Sequence, residues 1–220
     1  MIPRILDIIF SFSALLFLLP LMIIIAIILR FTGEGEIFYI QKRIGVSGEE
    51  FGLYKFATML KNSPNMGSGE ITTEDDPRVL RFGKFLRKSK LNELPQLYNI
   101  VIGDMSLVGP RPMVPRTYNY YSAQAKESID IVRPGLTGIG SIFFRNEEKY
   151  LKNNLDPMQF YIEHIIPYKS ELEIWFVKNM TLCLYVKVIL VTAYVILIPD
   201  SQILHRIFKG LPEVPKKLII

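Results

Sequence analysis

The chain has 220 residues, of which 50% are hydrophobic and 21% charged, with a formal net charge of +5. This mixture excludes a polytopic membrane protein and indicates a folded body, one domain or one domain with an appendage, attached to a bilayer. The positive charge suits an anionic partner. Because the chain has no recognisable nucleic-acid motif, we expect lipid headgroups or phosphorylated ligands and no nucleic acid. Cys183 is the only cysteine, which excludes a disulfide framework and fits a reducing cytoplasmic setting.

An uncharged and almost wholly apolar run occupies residues 8–29. As one helix it would be about 33 Å long, enough to cross a bilayer core, so a single-pass anchor is one interpretation. Pro20 lies past the middle of the run, where it removes a backbone hydrogen bond and favours a kink. Arg4 and Arg30 place a cation at each end, and the positive-inside rule favours keeping both ends in the cytoplasm. We therefore predict that residues 1–32 form a helix-break-helix that re-enters the membrane.

The following body, residues 33–220, is predicted to be cytoplasmic, membrane-associated and mostly α-helical with one small β-hairpin. Residues 36–41 and 51–56 are short segments rich in aromatic and branched side chains. The glycine-rich turn at residues 45–48 predicts that they pair as the hairpin. Residues 62–73 are rich in Gly, Ser, Asn and Thr and predict a loop.

Asp76 and Pro77 predict the start of a helix, as its N-cap and its first helical residue. No acidic residue occurs between residues 77 and 91. The predicted helix combines three apolar residues at helical spacing with six basic ones: Val79, Phe82 and Leu86, and Arg78, Arg81, Lys84, Arg87, Lys88 and Lys90. Such a stripe is often only a solvated face. Beside an apolar anchor we interpret it as an interfacial amphipathic helix on anionic headgroups.

Two further segments have clear local signals. Residues 94–102 predict a helix that Gly103 would end. Residues 182–199 form the other long apolar stretch, interrupted by Lys187. A lysine at a bilayer centre costs about 2.5–3.5 kcal/mol, so we expect this stretch to lie in the interface or against the body.

Residues 87–112 read RKSKLNELPQLYNIVIGDMSLVGPRP and closely resemble the core of the monotopic phosphoglycosyl transferases, the bacterial sugar transferase family. The run RPGLTG at residues 133–138 resembles the family's second signature. The resemblance implies transfer of a phosphosugar from a UDP-sugar to undecaprenyl phosphate with release of UMP, at the start of capsule, O-antigen or glycoconjugate assembly. It also implies a monotopic protein on the cytoplasmic face of the bacterial inner membrane, in contact with the inner-membrane lipids.

The matching motifs contain candidates for binding the substrate phosphates. Arg111 lies between two prolines, which preorganise its guanidinium for bidentate contact with phosphate. The alternative is a structural arginine that pairs with a helix C-terminus. Arg87, Arg133 and Arg145 are further candidates. Glu93 resembles the second member of the family's acidic pair, which implies that it holds Mg²⁺ as the cofactor. As a first-turn acid it would also favour the helix dipole.

Asn92 stands where the family carries the aspartate that acts as covalent nucleophile, so the catalytic pair here reads Asn92 and Glu93. Asn caps a helix as well as Asp does, which predicts that Asn92 is the N-cap of the next helix. A carboxamide is far too weak a nucleophile to form an acyl phosphate. Three explanations stay open: direct attack by the acceptor phosphate, replacement by another carboxylate such as Glu93 or Asp104, or an impaired member that binds substrate or acts as a scaffold. Asp104 is predicted to be a turn residue first.

Overall fold

The computed structural model describes residues 2–66, 76–151, 156–198 and 203–219. They form a mostly helical protein with a small antiparallel hairpin, as the sequence predicts. The helices are α1 (Ile2–Arg30), α2 (Arg81–Lys88), α3 (Gln96–Ile102), α4 (Pro115–Tyr118), α5 (Ala123–Asp130), α6 (Ile139–Phe143), α7 (Glu147–Leu151), α8 (Pro157–Phe160), α9 (Ile166–Lys178), α10 (Leu182–Leu197) and α11 (Ile203–Ile207). The strands are β1 (Phe38–Ile44), β2 (Glu50–Phe56), β3 (Ser106–Val108) and β4 (Gly135–Thr137).

The apolar N-terminal run forms one continuous helix, α1, that passes through Pro20, where two helices separated by a break are predicted. One face of α1 packs on the body on both sides of the proline. That face consists of Asp7, Ser11, Ala14, Leu15, Leu18, Met22, Ile25, Ala26 and Leu29. Pro20 is on the exposed side. Because the turns before and after it are held by tertiary contacts, the helix tolerates the lost hydrogen bond.

The opposite face of α1 is apolar and exposed. Phe10, Phe17 and Ile24 are 56%, 83% and 55% exposed, respectively. Among the described residues, α1 is the one helix long and apolar enough to cross a membrane. A large exposed apolar face of this kind indicates contact with lipid or protein.

Two charged side chains attach the N-terminal end of α1 to the body. Arg4 donates to the carbonyl oxygens of Ile100 (2.7 Å) and Val101 (3.0 Å) at the end of α3, where helix carbonyls lack intrahelical partners. Asp7 is 2% exposed and accepts from the backbone N–H of Leu107 (2.8 Å) and from the Tyr185 hydroxyl. These contacts join α1 to α3, β3 and α10.

The predicted hairpin is present, with β1 paired antiparallel to β2. Its first strand begins two residues later than predicted and extends to Ile44, because a short 3-10 turn at Val46–Gly48 closes the hairpin. Leu53 and Phe56 are buried against different neighbours: Leu53 packs with α3, and Phe56 packs with α1 and α2. The hairpin therefore lies between α1 and the motif region.

The prediction that a helix begins at Asp76 is wrong, because the structure starts α2 at Arg81. The Asp76 carboxylate instead accepts from Arg78 Nε (2.9 Å), and Arg78 Nη1 donates to the Ser63 carbonyl (2.8 Å). Arg78 is 3% exposed and does not belong to the basic surface of α2. Val79 forms an isolated bridge with Met59, which keeps this segment extended. Of the predicted loop, residues 67–73 lie outside the described part of the chain.

The prediction that Asn92 caps the next helix is also wrong. Asn92 lies inside a 3-10 turn, Leu91–Glu93, and α3 begins at Gln96 with Pro95 in the cap position. The backbone N–H groups of Leu97 and Tyr98 donate to the carbonyl oxygens of Leu94 and Pro95 (both 3.0 Å), so these donors need no side-chain cap. The C-terminal prediction is confirmed: Gly103 ends α3 with φ 108°, a conformation that favours glycine.

The two signature segments pack against each other through the parallel pair β3 and β4. A Cβ on Gly138 would lie 2.2 Å from the Gly109 carbonyl oxygen, and a Cβ on Gly109 would lie 2.4 Å from the Arg133 carbonyl oxygen. Only glycine allows the two backbones to approach this closely. The motifs at residues 109–112 and 133–138 are therefore one structural unit.

The C-terminal half surrounds α9, whose Leu172 and Phe176 are fully buried in the largest apolar cluster. Helix α10 buries one face in this cluster and exposes the other, which fits the expectation of a helix against the body. Lys187 lies on the exposed face, where its ammonium group keeps contact with water or headgroups.

Candidate active site

A cavity of about 1860 Å³ lies between the hairpin, the turn before α3, the segment after β3, and helices α6, α9 and α10. Of the sequence-predicted site residues, five line it: Arg87, Asn92, Glu93, Arg111 and Arg145. The structure does not bring Arg133 into this set, since its Nε donates to the Gly103 carbonyl oxygen (2.8 Å) at the exposed end of α3. Asp104 is also elsewhere, and it accepts from Asn99 Nδ2 (3.0 Å) as a turn residue.

Glu93 and Arg111, which both line the cavity, form an ion pair. Arg111 Nη2 donates to Glu93 Oε1 at 3.0 Å, and the two side chains are 34% and 14% exposed. Burial alone would raise the pKa of Glu93, but the positive charges of Arg111 and Lys55 outweigh it and lower the pKa to about 2. Glu93 therefore stays ionised at all ordinary pH values, and the observed partner of Arg111 is this carboxylate and not a helix C-terminus.

Two basic residues of the hairpin complete the positive wall, and sequence reasoning missed both. Lys55 and Arg43 line the cavity, and Arg43 Nη1 donates to the Pro112 carbonyl oxygen (2.9 Å). Burial and then the charge of Arg43 lower the pKa of Lys55 well below its ordinary value, although Glu93 opposes the shift. A cationic wall with a depressed lysine pKa is prepared to receive an anion. The sequence signal that could have identified Lys55 is its charge within an otherwise apolar and aromatic strand.

Asn92 lies beside this pair with its side chain almost wholly enclosed. It is 7% exposed, and its Oδ1 has no hydrogen-bond partner among the described residues. An enclosed amide oxygen without a donor costs free energy. Because Asn92 also lines the cavity, a bound ligand or cation can supply the missing contact.

A second polar cluster lies on the α9 side of the cavity. Lys169 Nζ donates to Glu147 Oε2 at 2.6 Å and to the Tyr161 hydroxyl at 3.4 Å. One turn further, Glu173 is 2% exposed and neither carboxylate oxygen has a hydrogen-bond partner among the described residues. Burial raises the pKa of Glu173 to about 7, although the approach of the Arg111 backbone N–H and the charges of Lys169 and Arg111 oppose the shift. Sequence reasoning missed this cluster, because nothing in the local pattern distinguishes it from a solvated helix face.

Comparison with known protein sequences identifies the family of this chain. Residues 1–199 match the sequence model of the family described as "Bacterial sugar transferase". The chain belongs to this family.

Curated relatives support the same assignment. "Exopolysaccharide production protein ExoY" of Sinorhizobium fredii is 39% identical over 158 residues, which cover 66% of this chain and 70% of the relative. "UDP-glucose:undecaprenyl-phosphate glucose-1-phosphate transferase" of Xanthomonas campestris is 35% identical over 162 residues, 72% of this chain and 34% of the relative. "Undecaprenyl-phosphate galactose phosphotransferase" of Salmonella typhimurium is 32% identical over 214 residues, 91% of this chain and 41% of the relative. The chain therefore spans less than half the length of the last two proteins.

In this bacterial sugar transferase the cavity residues provide only part of the ligand set of a divalent cation. Oxygen atoms of a bound substrate would have to complete it. The described residues contain no group of three or more His, Cys, Asp or Glu side chains placed to hold a metal. Glu93 offers a carboxylate and Asn92 an amide oxygen without a partner, and both are hard oxygen ligands of the kind Mg²⁺ prefers. Mg²⁺ commonly takes its remaining ligands from water and from substrate phosphates. The residues present fit such a site.

Proposed function

We propose that this protein transfers a phosphosugar from a UDP-sugar to undecaprenyl phosphate and releases UMP, as an initiating step of surface-polysaccharide or glycoconjugate assembly. The observation that carries the proposal is the Glu93–Arg111 pair inside a cavity with a cationic wall. The names of the Xanthomonas and Salmonella relatives support the acceptor and the reaction class.

The positive wall is assigned to the diphosphate of the donor. Arg111 has a planar fork that matches phosphate oxygens, and its backbone is restricted by the flanking prolines. Arg87, Arg145 and Lys55 line the same cavity and add positive charge where negative charge develops on the transferred group. Arg133 is left out of this assignment because of its contact with Gly103.

We assign Mg²⁺ to Glu93, with Asn92 Oδ1 as a second oxygen ligand. When bound, the ion would neutralise phosphate charge and orient the leaving group. The low pKa of Glu93 keeps its carboxylate available for this role. Arg111 orients the carboxylate from one side through Oε1.

For the transfer step we propose direct attack by an acceptor phosphate oxygen on the phosphorus that carries the sugar. The new P–O bond forms as the bond to the UMP oxygen breaks, and UMP leaves with the bonding electron pair. The acceptor is already an anion, so no protein base is required. Asn92 has no nucleophilic carboxylate. Glu93 is held by Arg111 and has a pKa of about 2, which makes its carboxylate a poor nucleophile, and Glu147 is engaged in an ion pair with Lys169.

We further propose that both ends of α1 remain on the cytoplasmic side of the bacterial inner membrane and that its exposed apolar face enters one leaflet. Arg4 holds the first turn of α1 to the end of α3, and Leu29 in the last turn packs with Phe56 and Leu86. A helix of this length, about 43 Å, with both ends on one globular body lies along that body. This arrangement supports a monotopic protein over a single-pass anchor.

The proposed function is tested with purified protein in nanodiscs, undecaprenyl phosphate, Mg²⁺ and a panel of UDP-sugars, with UMP release as the readout. We expect release with at least one donor and none without acceptor. Binding of UDP-sugar with no release for any donor would contradict the proposal. That result would favour the alternative to which Asn92 points, a substrate-binding or scaffold protein.

A further inference from the structure

An apolar branch of the active-site cavity runs between α1 and α10. It begins at Leu94, directly after Glu93, and is lined by Ala14, Leu18, Leu97, Leu107, Ile189 and Ala193. These residues come from α1, α3, β3 and α10, so the branch is built by packing of segments distant in the chain. It is continuous with the polar part that contains Glu93 and Arg111.

The two helices that form the walls are joined by a hydrogen bond outside the cavity lining. Tyr185 of α10 donates its hydroxyl hydrogen to Asp7 of α1. The residues of α1 that line the branch lie between Ala14 and Leu18, and those of α10 lie between Ile189 and Ile196. At 1.5 Å per residue these two stretches are about 6 Å and about 10 Å long.

We propose that this branch, here called the α1–α10 groove, holds the first isoprene units of the acceptor lipid and directs its phosphate towards Glu93 and Arg111. The inference rests on the proposed function, since it assigns the acceptor of that reaction to a place in the fold.

The lining chemistry favours a hydrocarbon chain over a sugar or a nucleotide. Apart from Thr192 and Thr137, the residues of the groove named here are apolar. Those two hydroxyls are 2.8 Å apart, and Thr192 also donates to the Val188 carbonyl oxygen (2.7 Å). Because these polar atoms are satisfied within the protein, they place no demand on a ligand.

The position of the groove also favours a ligand that has an apolar chain and an anionic head group. The cationic wall of the active site lies at one end of the groove. The two helices of the groove also present exposed apolar faces: Leu190 of α10 is 64% exposed and Phe17 of α1 is 83% exposed. A lipid can therefore pass from a bilayer contacting these faces into the groove without exposing its chain to water. A prenyl phosphate has both required parts, an apolar chain for the groove and an anionic phosphate for the cationic wall.

Filling the groove tests the assignment kinetically. Ala193 is exposed within the groove, whereas Leu190, three residues earlier, does not line the cavity. We expect Ala193→Trp to raise KM for undecaprenyl phosphate about tenfold, because the indole displaces buried chain. Affinity for UDP, measured by calorimetry, should be unchanged. The matched Leu190→Trp variant should change neither quantity by more than about twofold. Equal effects of the two variants on KM, or none, would overturn the assignment.

A photoreactive prenyl phosphate gives a readout that does not need turnover. A diazirine in the second isoprene unit should label residues 189–196 of α10 or residues 14–18 of α1, and excess undecaprenyl phosphate should suppress the labelling. Competed labelling without UMP release would support the groove and count against the proposed reaction. Labelling confined to outward residues such as Leu190 and Phe17, with no competition, would show bulk lipid contact and overturn the groove. Labelling of a second copy of the chain would also overturn it.

Discussion

At the scale of single residues, the site is governed by the balance of charge around Glu93. One carboxylate is surrounded by Arg111, Lys55 and Lys90, whose positive charges overcome the cost of burying it. Lys55 shows the opposite balance, since burial and Arg43 weaken its proton affinity. An incoming diphosphate would relieve the excess positive charge, so substrate charge is part of what completes the site.

Arg111→Lys should weaken binding of UDP about tenfold, because lysine keeps the charge but loses the planar fork that holds both Glu93 and phosphate. The matched control is Arg133→Lys, whose parent side chain contacts Gly103 at the surface. This control should leave UDP affinity within about twofold of wild type. Calorimetry measures both, and a larger loss in the control than in Arg111→Lys would reverse the assignment of the two arginines.

Affinity for UDP should fall as pH rises above the depressed pKa of Lys55. Bound diphosphate favours the charged lysine, so the pKa is higher in the complex than in the free protein, and binding takes up a proton between the two values. Lys55→Met should bind more weakly and lose this pH dependence. Glu93 does not contribute in this range, because its pKa is about 2. Proton uptake is measured by calorimetry in buffers of different ionisation enthalpy, and a wild-type affinity independent of pH up to 10 would contradict the role of Lys55.

Wild-type protein should turn over without a covalent intermediate, whereas Asn92→Asp should permit a phosphosugar–enzyme adduct that intact-protein mass spectrometry detects. The reason is that a carboxylate can form an acyl phosphate and a carboxamide cannot. Asn92 is 7% exposed and lies beside Glu93. The new carboxylate should therefore also destabilise the fold by about 1–2 kcal/mol. An adduct on Glu93 of the wild-type protein would rule out direct attack.

At the scale of elements, the two signature segments act together because their backbones touch. The parallel pair β3 and β4 aligns them, and glycines at residues 109 and 138 permit the contact. This contact places Arg111 on a rigid support, since its segment is held by the neighbouring strand and by the hydrogen bond from Arg43 to Pro112. A rigid support is what phosphate positioning requires.

Gly138→Ala should lower the free energy of unfolding by about 2 kcal/mol, because its Cβ would lie 2.2 Å from the Gly109 carbonyl oxygen. Gly45→Ala is the matched control: its Cβ would be 3.1 Å from a Phe51 side-chain atom, which can move. We expect less than about 1 kcal/mol there. Urea unfolding of both variants in detergent tests the difference, and an equal loss would show that backbone contact between the motifs contributes little.

At the scale of the whole molecule, helix α1 joins the exposed apolar surface to the active-site cavity. Helix α1 presents an apolar face outward and packs its other face on the hairpin, α2, α3 and β3. The active-site cavity reaches this helix at Ala14 and Leu18. The exposed apolar face of α1 and the charged residues of the cavity therefore have a fixed relation, which suits the proposed reaction between a soluble donor and a lipid acceptor.

Both ends of α1 should be inaccessible from the periplasm. In a Cys183→Ser background, neither Ile2→Cys nor Glu34→Cys should react with an impermeant maleimide in intact spheroplasts, and both should react after lysis. The expectation follows from the attachment of both helix ends to one body through Arg4 and Leu29. Periplasmic labelling of Ile2→Cys alone would establish a single-pass anchor.

The sequence by itself determined the family, the hairpin, the end of α3 at Gly103 and the apolar N-terminal helix before a mostly helical body. Each of these depends on neighbours within a few residues or on a motif of fixed spacing, and such signals are local. The same locality explains the errors. Asp76 and Asn92 both have the residue type of an N-cap, but Arg78 binds the first and a 3-10 turn encloses the second.

Only the tertiary structure decided which residues share the cavity. Arg111 belongs there and Arg133 does not, although both lie in matching motifs: Arg111 pairs with Glu93 in the cavity, whereas Arg133 donates to the Gly103 carbonyl oxygen at the end of α3. Lys55 and Lys169 reach the cavity from elements more than 100 residues apart. The continuity of α1 through Pro20 was likewise decided by packing on either side of the proline. Long-range packing free energy outweighs local propensity at these positions, and no window of sequence contains both partners.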